Sequence, residues 1–298
     1  MFWRKRDPGP EIADVAAAVE DRELFTRRAR QAAEEFGVKV LGSARPYFWN
    51  PPEKPAHLAG KFEGLGDWMW ACQEAIFEIW FHLGPAALED LGRVAFGAYD
   101  WTQAHATDAL CRLALAGIET EQIAGQIAQA LPEWRYEQVM RVREIVGRLA
   151  ARSEALQRAY DDLVAQYRED DPVDAYELVA ALAHADPAHT RERYREFLRG
   201  LMDGIGLEGR TAFDDGHVVS TPDGEGVIAR SGPTHPLIEA YHQIRAALLL
   251  HELDPADEEV TRRLQTWAEQ HPDEAVRSEL RELLSPPSDD ASSQGLPS

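Results

Sequence analysis

His235, Glu239 and His242 stand at i, i+4 and i+7, on one face of the helix that the surrounding pattern predicts. Glu239-x-x-His242 is the carboxylate–imidazole spacing that makes one half of a di-iron centre. The other half is missing from the sequence, and His235 falls at the helix cap, so no metal site is expected there. Asp214, Asp215 and His217 could hold a cation beside a turn, but acids before a glycine are ordinary turn residues. Cys72 and Cys111 both lie in apolar helical stretches without metal-ligand spacing. No Gly-rich phosphate loop, nucleophile elbow or zinc spacing is present, and Ser and His are scattered. The sequence therefore calls for no catalytic residue, cofactor or metal, and points away from an enzyme.

Binding chemistry is better represented. Tyr47, Phe48, Trp49, Phe62, Trp68, Trp70, Phe77, Trp80 and Phe81 crowd one short stretch. Aromatic side chains carry interface energy and line grooves, and they also fill cores. Trp68 and Trp80 fall on a core-type stripe, and a Pro-rich segment commonly packs its own aromatics beneath itself. Trp70 and Phe81 lie off that stripe. The candidate binding residues are thus Tyr47, Phe48, Trp49, Trp70, Phe81 and Trp101, together with Val219 and Val227 of a strand pair described next.

The elements that must position these residues are mostly helices. Helix-start signals recur roughly every 15 to 20 residues, with apolar residues at i, i+3 and i+4 between them. Asp171-Pro172, Asp186-Pro187 and Asp254-Pro255 each place a capping carboxylate before a residue suited to the first turn. Asp100-Trp101-Thr102-Gln103 reads as a capping box. The spacing predicts a helix over 11–36 with a break near Asp21, and no regular element over 42–62, where prolines recur. Leu65, Trp68, Met69, Cys72, Ile76, Ile79, Trp80 and Leu83 make one continuous stripe. Helices are expected near 85–98, 102–117, 120–131, 133–151, 154–168, 172–184, 187–203, 236–253, 255–270 and 273–284. Between them, Val218-Val219 and Val227-Ile228 flank an Asp223-Gly224 turn and read as a β-hairpin.

This gives five segments: a helical and then Pro/aromatic-rich stretch at 1–63, a helical-repeat array at 64–205, a loop with the hairpin at 206–233, further helical repeats at 234–285, and a disordered tail at 286–298. The 298-residue chain is 44% hydrophobic, enough for a sizeable core. No stretch approaches the roughly 18 apolar residues that a membrane helix needs. The basic start Arg4-Lys5-Arg6 leads into Asp7-Pro8 rather than an apolar run, so no secretory signal is read. With two thiols in apolar helices, a cytoplasmic protein is expected. The net charge is −21, and residues 151–298 carry 30 acidic against 14 basic side chains. Such a chain is a poor general binder of nucleic acid or anionic lipid, and its charge suits a basic protein partner.

Asp273-Glu274-Ala275-Val276-Arg277-Ser278-Glu279-Leu280 resembles the second helix of a HEAT repeat, with Asp, then Val-Arg, then small or apolar residues at helical spacing. Residues 85–117 are similar in layout, with Ala104 standing where the motif has Arg, and 118–150 have the repeat length. The resemblance covers residues 64–205 and 236–285. It implies a right-handed curved α-solenoid of about six helix pairs, here with one inserted hairpin, and a concave face that binds proteins and less often nucleic acid. It also implies a structural ladder role for Asp273 and Arg277. The expected function is a protein-binding scaffold or adaptor. Alternatives are an enzyme of the alkylpurine DNA glycosylase type, which places Trp, Asp and Arg around an extruded base, and an acidic neutraliser of a basic protein. For the enzyme, Trp101 with Arg135 or Arg141 would line the groove. Bilin lyases also use such arrays, but no motif of theirs is found here. The sequence leaves the oligomeric state open.

Overall fold

The computed structural model describes residues 7–98, 100–207, 218–220, 226–228, 236–271 and 274–285, without side chains for 218–220, 226–228 and 236–240. The chain is overwhelmingly α-helical and divides into two compact units, residues 1–166 and 167–298. No helix among the described residues is long and apolar enough to cross a membrane.

The first unit starts with α1 (Gly9–Ala16) and α2 (Arg22–Phe36), separated as expected at Asp21, whose carboxylate accepts from Leu24 N at 3.0 Å. The Pro-rich stretch is less irregular than its prolines predict. Short α3 (Lys39–Ser43) and two 3-10 turns, Arg45–Phe48 and Ala56–Leu58, run through it. It folds back on α4 (Asp67–His82): Gln73 Nε2 donates to Phe48 O at 2.8 Å and Trp68 Nε1 to Pro52 O at 2.7 Å. Leu65 precedes that helix fully exposed, so it is not part of the core stripe. Within α4, Ala71, Cys72, Gln73, Ala75, Ile76, Phe77, Glu78, Ile79 and Trp80 are all buried, because α1, α2 and α6 pack around it.

A 3-10 turn (Gly84–Ala87) leads into α5 (Leu88–Ala95), followed by α6 (Thr102–Leu115), α7 (Thr120–Ala130) and α8 (Tyr136–Ala150). The start of α6 is half a capping box. Asp100 Oδ1 accepts from Thr102 N at 2.7 Å, but Gln103 Nε2 donates to Gly97 O at 2.8 Å instead of reaching back to Asp100. Gly117, at φ +89°, ends α6 with paired bonds from Ile118 N to Leu113 O and from Gly117 N to Ala114 O. Helix α6 packs on α4 and on α8, with α5 and α7 also laid against it. Alternate helices α4, α6 and α8 therefore form a row.

Helix α9 (Glu154–Asp170) spans the division between the units. In the second unit, α10 (Pro172–Ala185) and α11 (Pro187–Met202) begin at Asp171 and Asp186, each accepting backbone N–H bonds as the caps predict. Helices α12 (Pro236–Leu253), α13 (Glu258–Gln270) and α14 (Glu274–Leu284) follow. Asp254 does not cap α13. Pro255 sits in a turn, and Asp257 takes the cap while accepting from Arg195 Nη2 and Arg199 Nη2, each at 2.7 Å. Between α11 and α12, strands β1 (Val218–Ser220) and β2 (Gly226–Ile228) pair antiparallel with Val219 opposite Val227. Asp273 lies outside the described residues, whereas Arg277 binds the His271 carbonyl and Glu274. Asp214, Asp215, His217 and His235 are likewise outside them, as is the side chain of Glu239.

Candidate functional site

Helix α6 carries His105, Asp108 and Arg112 at i, i+3 and i+7, one polar line on an otherwise buried helix. Facing it, α4 carries Glu74 and Glu78 one turn apart, and α8 brings Arg141. With Arg22 from α2 and the ring faces of Trp70 and Phe77, these side chains enclose an open cleft of about 450 Å³.

Its floor is an alternating chain of charges. Arg112 meets Glu78 bidentately, Nη1 to Oε2 at 2.5 Å and Nη2 to Oε1 at 3.0 Å. Arg112 Nη1 also lies 3.6 Å from Asp108, and Arg22 lies 3.4 Å from Glu74 and 3.6 Å from Glu78. His82 Nε2 closes on Glu78 Oε1 at 3.3 Å. The floor thus holds three carboxylates against two guanidinium groups. Burial works against ionised Glu78, but His82, Arg112 and Arg22 overcome it and hold the carboxyl down at about 2. Glu74 and Asp108 have weaker partners, so burial wins and pushes both up.

The rim is aromatic and cationic. The Arg141 guanidinium sits 4.8 Å from the Trp70 ring and 4.7 Å from the Trp101 ring, a two-sided cation–π contact. Among the described residues it has no carboxylate partner. Trp70 is 37% exposed and Trp101 51%. The His105 ring packs edge-on against Trp70 at 4.6 Å and stacks on Phe77 at 5.8 Å, and its buried Nε2 has no hydrogen-bond partner among the described residues. Burial, and then the charge of Arg141, lower His105 to about 4, so the imidazole is neutral at physiological pH.

The candidate residues fall into distinct places. Trp70 and Trp101 come together around Arg141. Phe81 lies under the Arg112 guanidinium at 3.9 Å, on the same charged network. Phe48 is buried, stacked on Phe77 at 5.2 Å and tilted against Trp80 at 5.5 Å, so it serves the core. Tyr47 is half-buried and donates its hydroxyl to Asp7, while Trp49 is 49% exposed. Val219 and Val227 face each other in the strand pair, where only the backbone is described. Arg22, Glu74, Glu78, His105, Asp108 and Arg112 escaped the sequence reading. For Glu74 and Glu78 the one signal was two acids inside a mostly apolar helix, whereas Arg22 opens the polar helix α2 and gave none. Cys72 and Cys111 are buried free thiols.

Comparisons of this chain with protein-family models, with curated proteins and with solved structures return no match.

Proposed function

We propose that this chain is a protein-binding helical module, a scaffold or adaptor, that recognises its partner through the cleft across α4, α6 and α8. The observation that carries this reading is the Arg141 guanidinium seated between two partly exposed indoles, Trp70 and Trp101. Trp and Arg clustered at the centre of a contact supply most of its energy. The row of alternate helices supports a curved HEAT-like solenoid, with the strand pair as an insertion in it; both belong to the same proposal. The net charge of −21 favours encounter with a basic protein and repels a phosphate backbone.

The test is a binding titration with the partner captured from the native host. Trp70→Ala, Trp101→Ala and Arg141→Ala should each weaken affinity about tenfold or more with little change in stability. Undiminished binding by all three variants places recognition elsewhere.

A second reading, an enzyme of the DNA-glycosylase type, draws on the presence of an indole, Asp108 and Arg141 in one cleft. Against it stand the excess of carboxylates on the floor and the acidity of the chain. Release of free base from alkylated duplex DNA, abolished by Asp108→Asn, would establish the enzyme; no release leaves the binding module.

A further inference from the structure

Resting on the reading of the cleft as a recognition site, we propose that its occupant is a cationic side chain, an arginine of a basic partner segment, seated on the Glu74–Asp108 floor beneath the Trp70 rim. Three observations lead there. First, carboxylates outnumber guanidinium groups on the floor, and the cation without a carboxylate partner among the described residues stands at the rim. The floor has three carboxylates for two arginines, while Arg141 stands at the rim, in contact with Trp101, half of which is exposed. Glu74, with 30% of its side chain exposed, is partly desolvated and gains more from a partner than a hydrated charge would, while Asp108, 45% exposed, is open to a guest. Second, the floor offers hydrogen-bond acceptors to a guest. The Glu74 and Asp108 carboxylates, when ionised, only accept, and the neutral His105 imidazole has one donor and one acceptor nitrogen. A guanidinium, which carries five donors and no acceptor, complements that set. Third, the rim already displays how a guanidinium is held, since Arg141 occupies the slot between the two indoles. Arg141 is then a resident cation that an incoming arginine stacks beside. The field of the whole chain draws the same charge towards the cleft.

Protonation sets the working range. The groups facing the guest are Arg22 from α2, Glu74 and Glu78 from α4, His105, Asp108 and Arg112 from α6, and Arg141 from α8. Glu78 stays ionised well into acid, and the arginines do not titrate. Glu74 and Asp108, raised by burial, gain protons before Glu78 as pH falls, and His105 is lowered to about 4 by burial and then by Arg141. Affinity should therefore rise with pH through the titration of Glu74 and Asp108 and then level off, with protons released on binding.

The probe is N-acetyl-arginine amide, titrated at millimolar concentrations into the full-length protein while indole fluorescence and amide shifts are followed. Its control is N-acetyl-citrulline amide, equal in shape and uncharged. Saturable arginine binding at least about tenfold tighter than citrulline is expected, weakened about tenfold by Asp108→Asn or Glu74→Gln. Equal binding of the two probes overturns the proposal without recourse to any variant. So does preferential binding of N-acetyl-aspartate amide or inorganic phosphate that depends on Arg141, which would make the cleft an anion site. The cleft chemistry and the protein-binding reading fail separately. Selective arginine binding, with no host protein lost by the Trp70, Trp101 and Arg141 variants, leaves the cleft a small-molecule site. A captured protein indifferent to Asp108→Asn retains the module and overturns the arginine seat.

Discussion

Glu78 of α4 and Arg112 of α6 close a two-pronged ion pair, 2.5 and 3.0 Å, with the Glu78 side chain only 2% exposed. It fastens together two helices that also carry the cleft. A charge this deep is costly once alone, so the pair should matter far more to the protein when broken than its net strength implies.

Arg112→Ala is expected to cost about 3 kcal/mol in urea unfolding, at the low end for a broken buried pair because Arg22 and His82 remain near the carboxylate. Adding Glu78→Gln should recover part of the loss, since the stranded charge is gone. A double-mutant cycle that comes out additive would show that the two residues do not act as a pair.

Acid should remove a defined part of the stability. Glu78 is held at about 2 against an ordinary 4.5, so the unfolded chain binds this proton first. Its contribution is complete above about 4.5 and is lost as pH falls towards 2. Asp257, held at about 2 by Arg195 and Arg199 despite its burial, acts in the same direction. Glu78→Gln should flatten the slope of unfolding free energy against pH in this window, and an unchanged slope would mean that Glu78 carries none of it.

His105 should titrate near 4 rather than 6.5, which the imidazole C2 proton reports directly by NMR. Burial is the larger cause and Arg141 the second, so Arg141→Gln should move the midpoint up only part of the way. A midpoint near 6.5 in the unmodified protein would place His105 in water, not between Trp70 and Phe77.

Phe48 and Trp49 are neighbours with opposite roles. Phe48→Ala should cost about 3 kcal/mol, as deletions of buried aromatics do, since it stacks on Phe77 and touches Trp80. Trp49→Ala, at 49% exposure, should stay within about 0.5 kcal/mol. Comparable losses from both would mean that the Pro-rich segment holds its aromatics otherwise.

Neither thiol should react in the folded protein. Cys72, pushed up to about 12 by burial, and Cys111, pushed up likewise, are closed to a thiol reagent at pH 8 until the chain unfolds. Modification faster than unfolding would reveal local opening of α4 or α6.

The helices were legible because their signals are local. Asp21, Asp171 and Asp186 cap the helices that follow them, and Gly117 stops α6 where a left-handed residue is required. Asp254-Pro255 misled because an Asp-Pro pair suits a turn equally well, and Asp257 competed for the same helix start with two arginines bound to it. Trp70 stood out as an aromatic off the α4 stripe. The cleft floor did not, since its members meet only when α4, α6 and α8 align in a row. Glu78 and Arg112 are 34 residues apart, and no periodicity encodes that meeting.

The enclosure of α4 has a consequence for handling the protein. Residues 7–36 look like a dispensable leading hairpin, yet α1 and α2 are what covers α4 on one side. A truncation or a proteolytic cut that removes them would bare the side of α4 that they cover, on a helix whose interior positions are apolar. Such a surface seeks another like itself, so the shortened chain should precipitate rather than merely soften.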